Sequence, residues 1–405
     1  MPTYRARTVV TMDGPPIDDG AVVVAGERIA AVGPFREVGR QGDLVDLGAV
    51  VLLPGLINAH CHLDFTSLRG RIEPQESFAK WVGQINALRR ELTEDEYLAS
   101  IAQGFAEAKR YGTTTIANIE SVPRLLDRMK PPTLRTWWFA ELIDVRADLS
   151  PEELIAQSLA YFQNKKDWRG GFGLSPHAPF TASPALTRLA AARARRNGLL
   201  LTTHVAESRE EMEMFRDGAG PLFELLESLG RPMNDCGKGK TPFAVMLERQ
   251  VLDRDWIVVH LNELTEDDFA RLETAPRFHI AHCPRSCRYF RHRDFALRRL
   301  LDLGFNVVLG TDSLASNSSL NLFAEMQTVR DANPWLAPER ILEMATVNGA
   351  RALGQETILG KIRAGFQADL IALPLDDARA DLFGAISAWS KPVPWALLAG
   401  TVAAL

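Results

Sequence analysis

The alternation of apolar and polar residues near the N-terminus predicts short β-strands. It runs through residues 1–52, where the stretches 21–24 and 28–32 are predicted antiparallel strands joined by a turn at Gly26. This segment is too small to be a stable domain alone. Because strand-like patterns return near the C-terminus, we expect a small composite β-sandwich domain that combines residues 1–52 and 357–405.

Between these ends the pattern changes to strands that alternate with helices. The clearest helix is predicted over residues 93–110, where Thr93 and Glu96 form a capping box and Gly112 supplies the stop. Short apolar or β-branched runs predict eight strands, at residues 50–53, 113–119, 136–143, 171–174, 199–204, 256–260, 278–282 and 305–309. Eight parallel strands with intervening helices indicate an α/β fold, a (β/α)8 TIM-like barrel, over residues 53–356.

Composition and charge narrow the class of protein and its partners. The chain has 405 residues, of which 46% are hydrophobic and 24% charged, which is an ordinary globular composition. A formal net charge of −5 gives no electrostatic reason to expect a nucleic acid or an anionic membrane as partner. Four cysteines without a regular framework, no secretory signal and no membrane-length apolar stretch indicate a cytoplasmic protein.

The motif His60-Cys61-His62 is the first candidate for chemistry. On a strand, residues i and i+2 share a face, so both imidazoles point the same way and Cys61 points away. Two imidazoles at this spacing can hold two corners of a tetrahedral or trigonal-bipyramidal metal site. Two histidines hydrogen-bonded in a core would give the same short pattern, so the motif alone leaves both interpretations open.

Further histidines follow the predicted strands of the barrel. The chain has only 8 histidines, yet His177, His204, His260 and His282 follow or end four successive strands, and Asp312 follows the last strand. Active sites of such barrels lie at the carboxyl ends of the strands. Imidazole and carboxylate together suit zinc or a similar divalent ion. The predicted ligands of one such ion are His60, His62, His204 and Asp312.

Glu207 and His260 are the predicted proton-transfer groups beside this metal. Glu207 lies three residues after His204 and can carry a proton between water and a substrate nitrogen, unless it is a solvent-facing acid at a helix N-terminus. His260 can polarise the water or a tetrahedral centre, unless it only forms a supporting hydrogen bond. A water held by a divalent ion has a pKa lowered towards neutrality. The end of the fourth strand lacks a lysine or a carboxylate, which favours a single metal over a bridged pair.

Four motifs together resemble the amidohydrolase superfamily, in its branch of aminohydrolases and chlorohydrolases. They are Pro54-Gly55-Leu56-Ile57-Asn58-Ala59-His60-Cys61-His62, Ser175-Pro176-His177-Ala178-Pro179, His204-Val205-Ala206-Glu207 and Gly310-Thr311-Asp312-Ser313. The resemblance covers essentially the whole chain. It implies one metal, usually zinc and sometimes iron, bound by the four ligands named above. It also implies that Glu207 protonates a ring nitrogen, that His260 and Asp312 help take the water's proton, and that ammonia leaves.

The resemblance is less specific for the substrate. It implies that His177 lies beside the sugar or tail of the substrate. Three stretches, Asp64-Phe65-Thr66, residues 78–81 and residues 285–290, resemble the aminodeoxyfutalosine deaminase group. That group removes the 6-amino group of an adenine nucleoside that bears a benzoate.

Arginine and aromatic residues in these stretches are the predicted substrate contacts. Trp81, Arg285 and Arg288 are assigned this role, since arginine forks bind carboxylates and aromatic rings stack on flat rings. Arg69 and Arg71 lie in another loop that is expected at the pocket. As an equal alternative, these arginines are surface charges or subunit contacts.

The function predicted on this basis is that of a metal-dependent hydrolytic deaminase. Such an enzyme releases ammonia from an aminated purine nucleoside or a related heterocycle, such as 6-aminodeoxyfutalosine. The first alternative is a chlorohydrolase or cyclic-amide hydrolase of the same superfamily. Release of chloride or formation of a new carboxylate, instead of release of ammonia, would distinguish it from a deaminase. The second is a non-catalytic relative in which the metal only braces the barrel. Relatives are often dimers, and the apolar and aromatic loops permit a homodimer without showing one.

Overall fold

The computed structural model of the chain describes residues 1–146, 149–165, 167–375 and 381–404, and its strands form two sheets. One sheet is a barrel of parallel strands, and the other combines strands from both ends of the chain. The fold class predicted from the sequence is therefore confirmed. The predicted division of the chain at residues 52 and 357 stays a prediction.

The barrel has eight parallel strands that pair in chain order. They are β6 (Leu56–His62), β7 (Thr113–Glu120), β8 (Arg135–Leu142), β9 (Gly170–Pro176), β10 (Leu200–Val205), β11 (Trp256–His260), β12 (His279–His282) and β13 (Asn306–Leu309). The last strand resumes as β14 (Asp312–Ser313), which pairs with β6. This pairing closes the sheet and brings the ends of the first and last strands together.

The first barrel strand lies one element later than the sequence predicts. The run at residues 50–53 belongs instead to β5 (Val51–Pro54), a strand of the second sheet. The chain then passes Gly55, where a side chain would collide with Thr114, and β6 begins at Leu56. Both β5 and β6 are wholly buried and begin with apolar residues, so hydrophobicity alone does not show which of them enters the barrel.

The second sheet is mixed and continuous. Its strands are β1 (Thr3–Val9), β2 (Ile17–Ala25), β3 (Arg28–Pro34), β4 (Leu44–Asp46), β5, β15 (Leu370–Leu373), β16 (Trp395–Leu398) and β17 (Thr401–Val402). Strand β5 joins the two ends of the chain, because it pairs parallel with β1 and antiparallel with β15. The predicted hairpin at Gly26 is present between β2 and β3.

Helices cover the barrel and fill its connections. They are α1 (Phe35–Val38), α2 (Phe78–Glu91), α3 (Glu94–Arg110), α4 (Pro151–Gln163), α5 (Pro184–Asn197), α6 (Arg209–Asp217), α7 (Pro221–Ser228), α8 (Pro242–Glu248), α9 (Glu266–Thr274), α10 (Pro284–Tyr289), α11 (Leu297–Asp302), α12 (Leu322–Ala332), α13 (Pro338–Met344), α14 (Val347–Ala352) and α15 (Leu382–Ser387). The predicted capping box of Thr93 and Glu96 begins α3. Among the described helices, none has the length and apolar character needed to cross a bilayer.

Side chains of the barrel strands alternate between the barrel interior and the helix layer. In β11, Ile257 and Val259 belong to the interior core, whereas Val258 belongs to the core under the helices. The same alternation in β8 turns Trp137 and Phe139 inward and Trp138 outward. The barrel is therefore filled below its carboxyl rim, and polar side chains collect at the rim.

Candidate metal centre and active site

His60 and His62 end strand β6 on the inner face of the barrel. Lower on the strand, Ile57 belongs to the interior core, and the register with β7 shifts between Asn58 and Cys61. A bulge of this kind changes which side chains face inward. His60 and His62 therefore lie together, with ring centroids 5.0 Å apart, while Cys61 belongs to the outer core.

The four predicted metal ligands converge at the carboxyl rim. The His204 ring lies 4.9 Å from that of His60 and 5.6 Å from that of His62, measured between centroids. Asp312 Oδ1 lies 3.7 Å from His60 Nε2 and 3.8 Å from His62 Nε2. Barrel closure through β14 brings the carboxylate to this position. The structure therefore places together residues that are up to 252 positions apart in the sequence, between His60 and Asp312.

Unsatisfied nitrogen atoms show that this cluster fits a metal ion. Both ring nitrogens of His60, Nδ1 of His62 and Nε2 of His260 are buried without a hydrogen-bond partner among the described residues. Buried polar atoms normally have partners, and a metal would provide one. Ligand atoms of His60, His62 and Asp312 lie within 4.8 Å of one another. Imidazole nitrogen and carboxylate oxygen are donors that suit zinc and similar ions.

One neighbour of the cluster was not predicted from the sequence. The Cys283 thiol lies within 4.8 Å of ligand atoms of His260 and Asp312, and it is buried. Its only sequence signal is its position directly after the end of β12.

Burial keeps His62 and His204 neutral, whereas the neighbouring imidazoles keep Asp312 ionised. Desolvation lowers the pKa of His62 and His204 well below the usual 6.5, and the neighbouring histidines lower it further. For Asp312, burial raises the pKa, but the nearby imidazoles of His60, His260 and His62 bring it well below the usual 3.8. Neutral imidazoles and an ionised carboxylate are the protonation states that bind a divalent metal.

The backbone and hydrogen bonds around the cluster fix its ligands. His204 Nδ1 contacts the carbonyl oxygen of His177 at 2.9 Å, which leaves Nε2 free to point at the cluster. Ser286 donates a hydrogen bond to Asp312 Oδ2 at 2.7 Å. Asp312 and His260 have backbone φ values of 58° and 75°, which residues other than glycine rarely adopt. Strained backbone of this kind concentrates at functional sites.

Glu207 lies beside this cluster rather than in solvent. Its backbone N–H donates to Glu211 Oε2 at 2.7 Å, and Asn262 donates to its carbonyl oxygen at 3.2 Å. Its carboxylate Oε1 lies 3.6 Å from His260 Nε2. Burial, and then the charges of Asp312 and Glu211, raise the pKa of Glu207 well above 4.5. Burial also lowers the pKa of His260 to about 3. The raised pKa of Glu207 favours its protonated form, which faces a neutral His260 imidazole.

A cavity of about 370 Å³ opens above the cluster. The cavity is lined by His62, His204, His260 and Asp312, together with Glu207. The predicted contacts His177 and Trp81 also line it, as do Leu222, Leu225 and Leu226 of α7 and Leu229, which follows that helix. The cavity lining therefore combines the polar groups of the histidine cluster with apolar side chains.

Arg285 and Arg288 do not reach this cavity. They line a separate cavity of about 400 Å³ with Arg69. The Arg285 guanidinium donates to the hydroxyl oxygen of Ser319 at 2.7 Å. Helix α10 begins directly after β12 and directs Arg285 towards the loop after β14. The structure therefore does not bring these two predicted substrate contacts to the site. Arg71 pairs with Glu91, with 3.8 Å between Nη2 and Oε2.

Other charged groups occupy the substrate cavity instead. Arg89, Arg90 and Arg146 line it, as does Glu141 from the end of β8. Arg89 could have been found from the sequence, because it lies eight residues after Trp81 on the same face of α2. Glu141 gives a similar signal, since it continues the inward alternation of Trp137 and Phe139.

Of the remaining histidines, His282 and His292 lie near the site and His279 does not. The His282 ring stacks on Phe295 with centroids 3.9 Å apart, and His292 stacks on Phe290 at 5.2 Å. The sequence assigns no role to His292, but its charge contributes to lowering the pKa of His260. His279 Nδ1 contacts the side-chain amide of Asn306 at 2.8 Å, at the opposite end of its strand.

Comparison with known proteins identifies the family. The model of the amidohydrolase family matches residues 51–390. An aminodeoxyfutalosine deaminase from Deinococcus radiodurans is 32% identical over 354 residues, which cover 84% of this chain and 82% of that protein. A 5-methylthioadenosine/S-adenosylhomocysteine deaminase from Pelotomaculum thermopropionicum is 30% identical over 389 residues, which cover 91% of this chain and 83% of that protein.

A solved structure has the same fold. A zinc-bound adenosine deaminase from Xanthomonas campestris superposes with a TM-score of 0.83 at 23% identity, covering 99% of this chain and 92% of that one. At this identity the likeness supports the fold alone. The family match spans most of the chain, and curated relatives of at least 30% identity cover more than four fifths of it. The chain therefore belongs to the amidohydrolase family.

Proposed function

We propose that the chain is a metal-dependent hydrolytic deaminase that releases ammonia from an aminated purine nucleoside or a related heterocycle. The observation that carries this proposal is the pairing of Glu207 with the cluster of His60, His62, His204 and Asp312 in one buried cavity. Hydrolysis of an amino heterocycle needs an activated water and a proton donor for the ring nitrogen. The cluster of histidines and Asp312 can hold the metal that would activate the water, and Glu207 can act as the proton donor.

The metal we propose at this site is a single zinc ion, with His60, His62, His204 and Asp312 as ligands. A divalent ion bound there would supply water of lowered pKa at neutral pH. The zinc-bound adenosine deaminase of the same fold supports this choice of metal. Iron remains the alternative, because imidazole and carboxylate also bind it.

Glu207 and His260 then divide the proton transfers. Burial raises the pKa of Glu207 well above 4.5, and in its protonated form Glu207 would donate its proton to the ring nitrogen next to the carbon that bears the amine. His260 is neutral, and its Nε2 faces the Glu207 carboxyl group, where it can accept a proton from the attacking water together with Asp312. Proton return to the amine would let ammonia leave as the carbon–nitrogen bond breaks.

The apolar part of the cavity lining favours a nucleoside with an apolar substituent. Leucines of α7 and aromatic residues of α2 line the cavity together with the histidines. Two curated relatives, named as an aminodeoxyfutalosine deaminase and as a 5-methylthioadenosine/S-adenosylhomocysteine deaminase, support a 5′-substituted adenine nucleoside as substrate, with 6-aminodeoxyfutalosine as one candidate. Assignment to the cytoplasm and to a homodimer stays a prediction.

Ammonia release from a panel of aminated heterocycles tests this proposal. The zinc-loaded protein is incubated with adenosine, 5′-methylthioadenosine, S-adenosylhomocysteine, aminodeoxyfutalosine, guanine and cytosine. We expect ammonia from at least one adenine nucleoside. Release of chloride from a chlorotriazine or of a new carboxylate from a cyclic amide, without ammonia from the panel, would favour the chlorohydrolase or cyclic-amide alternative. Silence with zinc bound would favour the non-catalytic relative.

A further inference from the structure

The chain between β10 and α6 carries Glu207 in a tight turn. Strand β10 ends at Val205 and α6 begins at Arg209, so Glu207 belongs to neither element. Ala206 has a backbone φ of 52°, in the left-handed region that residues other than glycine rarely adopt. A turn in this conformation persists only where the surrounding structure holds it.

Glu211 holds this turn from the first turn of α6. Its Oε1 accepts a hydrogen bond from the Ala206 N–H at 3.2 Å, and its Oε2 accepts one from the Glu207 N–H at 2.7 Å. Ser208 caps the N-terminus of α6, where its hydroxyl oxygen accepts from the Glu211 N–H. A glutamate at this position of a helix commonly reaches back to the N–H of the cap residue. Here its side chain reaches the two residues that precede the cap.

The loop after β11 holds the carbonyl side of the same turn. The N–H of Glu263 donates to the Ala206 carbonyl oxygen at 3.0 Å, and the Asn262 side chain donates to the Glu207 carbonyl oxygen at 3.2 Å. Both N–H groups of the turn depend on Glu211. A buried N–H without a partner costs free energy, so loss of Glu211 should displace the turn.

Capping of α6 alone does not account for a glutamate at position 211. Its side chain is fully buried, and it is not among the residues that line the substrate cavity. Burial raises the pKa of Glu211 to about 8, although the N–H groups of Glu207 and Ala206 lower it. A buried acid is costly, and Ser208 already caps the helix. What the acid adds is a fixed backbone at Glu207, whose Oε1 lies 3.6 Å from His260 Nε2.

We propose that Glu211 is a positioning residue for the proton donor. By binding the N–H groups of Ala206 and Glu207, it holds the Glu207 carboxyl group where that group can reach the ring nitrogen of the substrate. This inference rests on the proposed function, because it takes Glu207 to be the proton donor. Glu211 acts through Glu207 and touches neither the substrate nor the metal.

Glu211→Gln removes one acceptor and keeps the size of the side chain. A carboxyl group has two acceptor oxygens, whereas a carboxamide has one, and its NH2 group would face a backbone N–H. The zinc-loaded variant is given the adenine nucleoside from which the wild-type enzyme releases ammonia fastest. We expect kcat to fall about 10- to 100-fold, because misplacement of a reacting group by about 1 Å costs up to about 100-fold. KM and zinc content should stay near their wild-type values.

A double-mutant cycle separates positioning from general damage to the fold. In the Glu207→Gln background no proton donor is left to position, so adding Glu211→Gln should cause no further loss of kcat. A residue that only stabilised the fold would cost the same factor in both backgrounds. Glu213→Gln makes the same change at an exposed position of α6 and should keep the wild-type kcat.

Hydrogen–deuterium exchange with mass spectrometry tests the contact without turnover. The peptide that contains Ala206 and Glu207 should exchange faster in Glu211→Gln than in the wild type or in Glu213→Gln, since one of its N–H groups loses its acceptor. Thermal melts followed by circular dichroism establish folding. Glu211→Asp, which keeps both oxygens but is too short to reach the turn, replaces Glu211→Gln in every comparison if that variant does not fold.

Three results would overturn the inference. They are a wild-type kcat in the folded Glu211→Gln variant, an equal loss of kcat in both backgrounds, and unchanged exchange of the peptide. Absence of ammonia release by the wild-type enzyme would instead contradict the proposed function, and the exchange measurement would still show whether Glu211 holds the turn.

Discussion

Glu207 is a buried carboxyl group beside the histidine cluster. Burial raises its pKa well above 4.5, which favours the protonated form that can donate to a ring nitrogen. Glu207→Gln should lower kcat by at least about 100-fold, because general acid catalysis contributes at least that much. Zinc content, measured by atomic emission, should not change.

The exposed Glu213 on α6 provides the control for that substitution. Glu213→Gln makes the same chemical change six residues away and should leave kcat near the wild-type value. If Glu207→Gln were as active as Glu213→Gln, Glu207 would not be the proton donor. A variant that loses its zinc would instead assign Glu207 to metal binding.

Ser286 supports the metal site through Asp312. Its hydroxyl group donates to Asp312 Oδ2 at 2.7 Å and contacts the Ser316 hydroxyl at 2.9 Å. Removal of such a supporting hydrogen bond weakens metal affinity by about 10- to 100-fold. We expect that loss in Ser286→Ala, measured by competition with a chromogenic zinc chelator.

Ser158→Ala is the comparison for Ser286→Ala. The Ser158 hydroxyl is also largely buried, but it donates to the Leu154 carbonyl within α4, far from the histidines in the fold. Its removal should not change zinc affinity. Equal affinities in the two variants would show that Ser286 does not hold the Asp312 carboxylate for the metal.

At the scale of the elements, the junction of the first and last barrel strands determines the site. Gly310 lies between β13 and β14, where an added Cβ would lie 2.7 Å from the His60 carbonyl oxygen and 3.1 Å from Cys283 Sγ. Because neither backbone nor strand can move freely there, Gly310→Ala should destabilise the protein by about 1–3 kcal/mol and weaken zinc binding.

The same substitution at Gly83 should have the opposite effect on protein stability. It is an exposed glycine inside α2, and an added Cβ would meet nothing within 4 Å. Gly83→Ala should therefore stabilise the protein by about 0.5–1 kcal/mol. Urea denaturation of the two variants checks both signs, and a Gly310→Ala variant as stable as the wild type would contradict the close packing at barrel closure.

The sequence predicted those elements whose signals are local. The capping box of Thr93 and Glu96 and the histidines at strand ends follow from neighbouring residues, and the structure places them accordingly. The run at residues 50–53 was wrongly assigned to the barrel, because β5 and β6 are both buried and both begin with apolar residues. Separating them requires the partner β15, which lies more than 300 residues away in the chain.

Charged side chains were harder to predict than strands. Arg285 resembles a substrate contact in sequence, but the direction of α10 turns it to Ser319. Arg89 and Glu141 have local signals, on the Trp81 face of α2 and in the inward alternation of β8, but these signals do not show that the two side chains line one cavity. Their proximity depends on how α2 folds over the barrel rim, and no local pattern encodes that.

For the whole molecule, buried titratable groups make stability depend on pH when no metal is bound. Burial lowers the pKa of His177 to about 4 and that of His260 and His282 to about 3, from 6.5. The unfolded chain then binds more protons than the folded one, so stability falls as the pH decreases below 6.5. Burial raises the pKa of Glu211 and Glu325 from 4.5 to about 8. The folded chain then retains protons that the unfolded chain releases, so stability falls as the pH increases from 4.5 to 8.

These opposing effects define a maximum of stability. Of these five groups, the three histidines alone make stability depend on pH below pH 4.5, and the two carboxyl groups alone do so between pH 6.5 and 8. The metal-free protein should therefore be most stable between pH 4.5 and 6.5. The urea concentration at the midpoint of unfolding, measured from below pH 4.5 to pH 8, tests this prediction. Glu211→Gln should reduce the decline above pH 6.5, and a wild-type midpoint that rises between pH 6.5 and 8 would contradict the burial of these acids.

The most direct test of the central claim follows the fate of the oxygen and nitrogen atoms. The zinc-loaded protein is given 5′-methylthioadenosine in water enriched in ¹⁸O, and the products are analysed by mass spectrometry and an ammonia assay. Hydrolytic deamination predicts one ammonia and one ¹⁸O at the former amino carbon for each substrate consumed. Formation of the free base, or consumption of substrate without ammonia, would contradict the assignment of this histidine and aspartate cluster as a deaminase site.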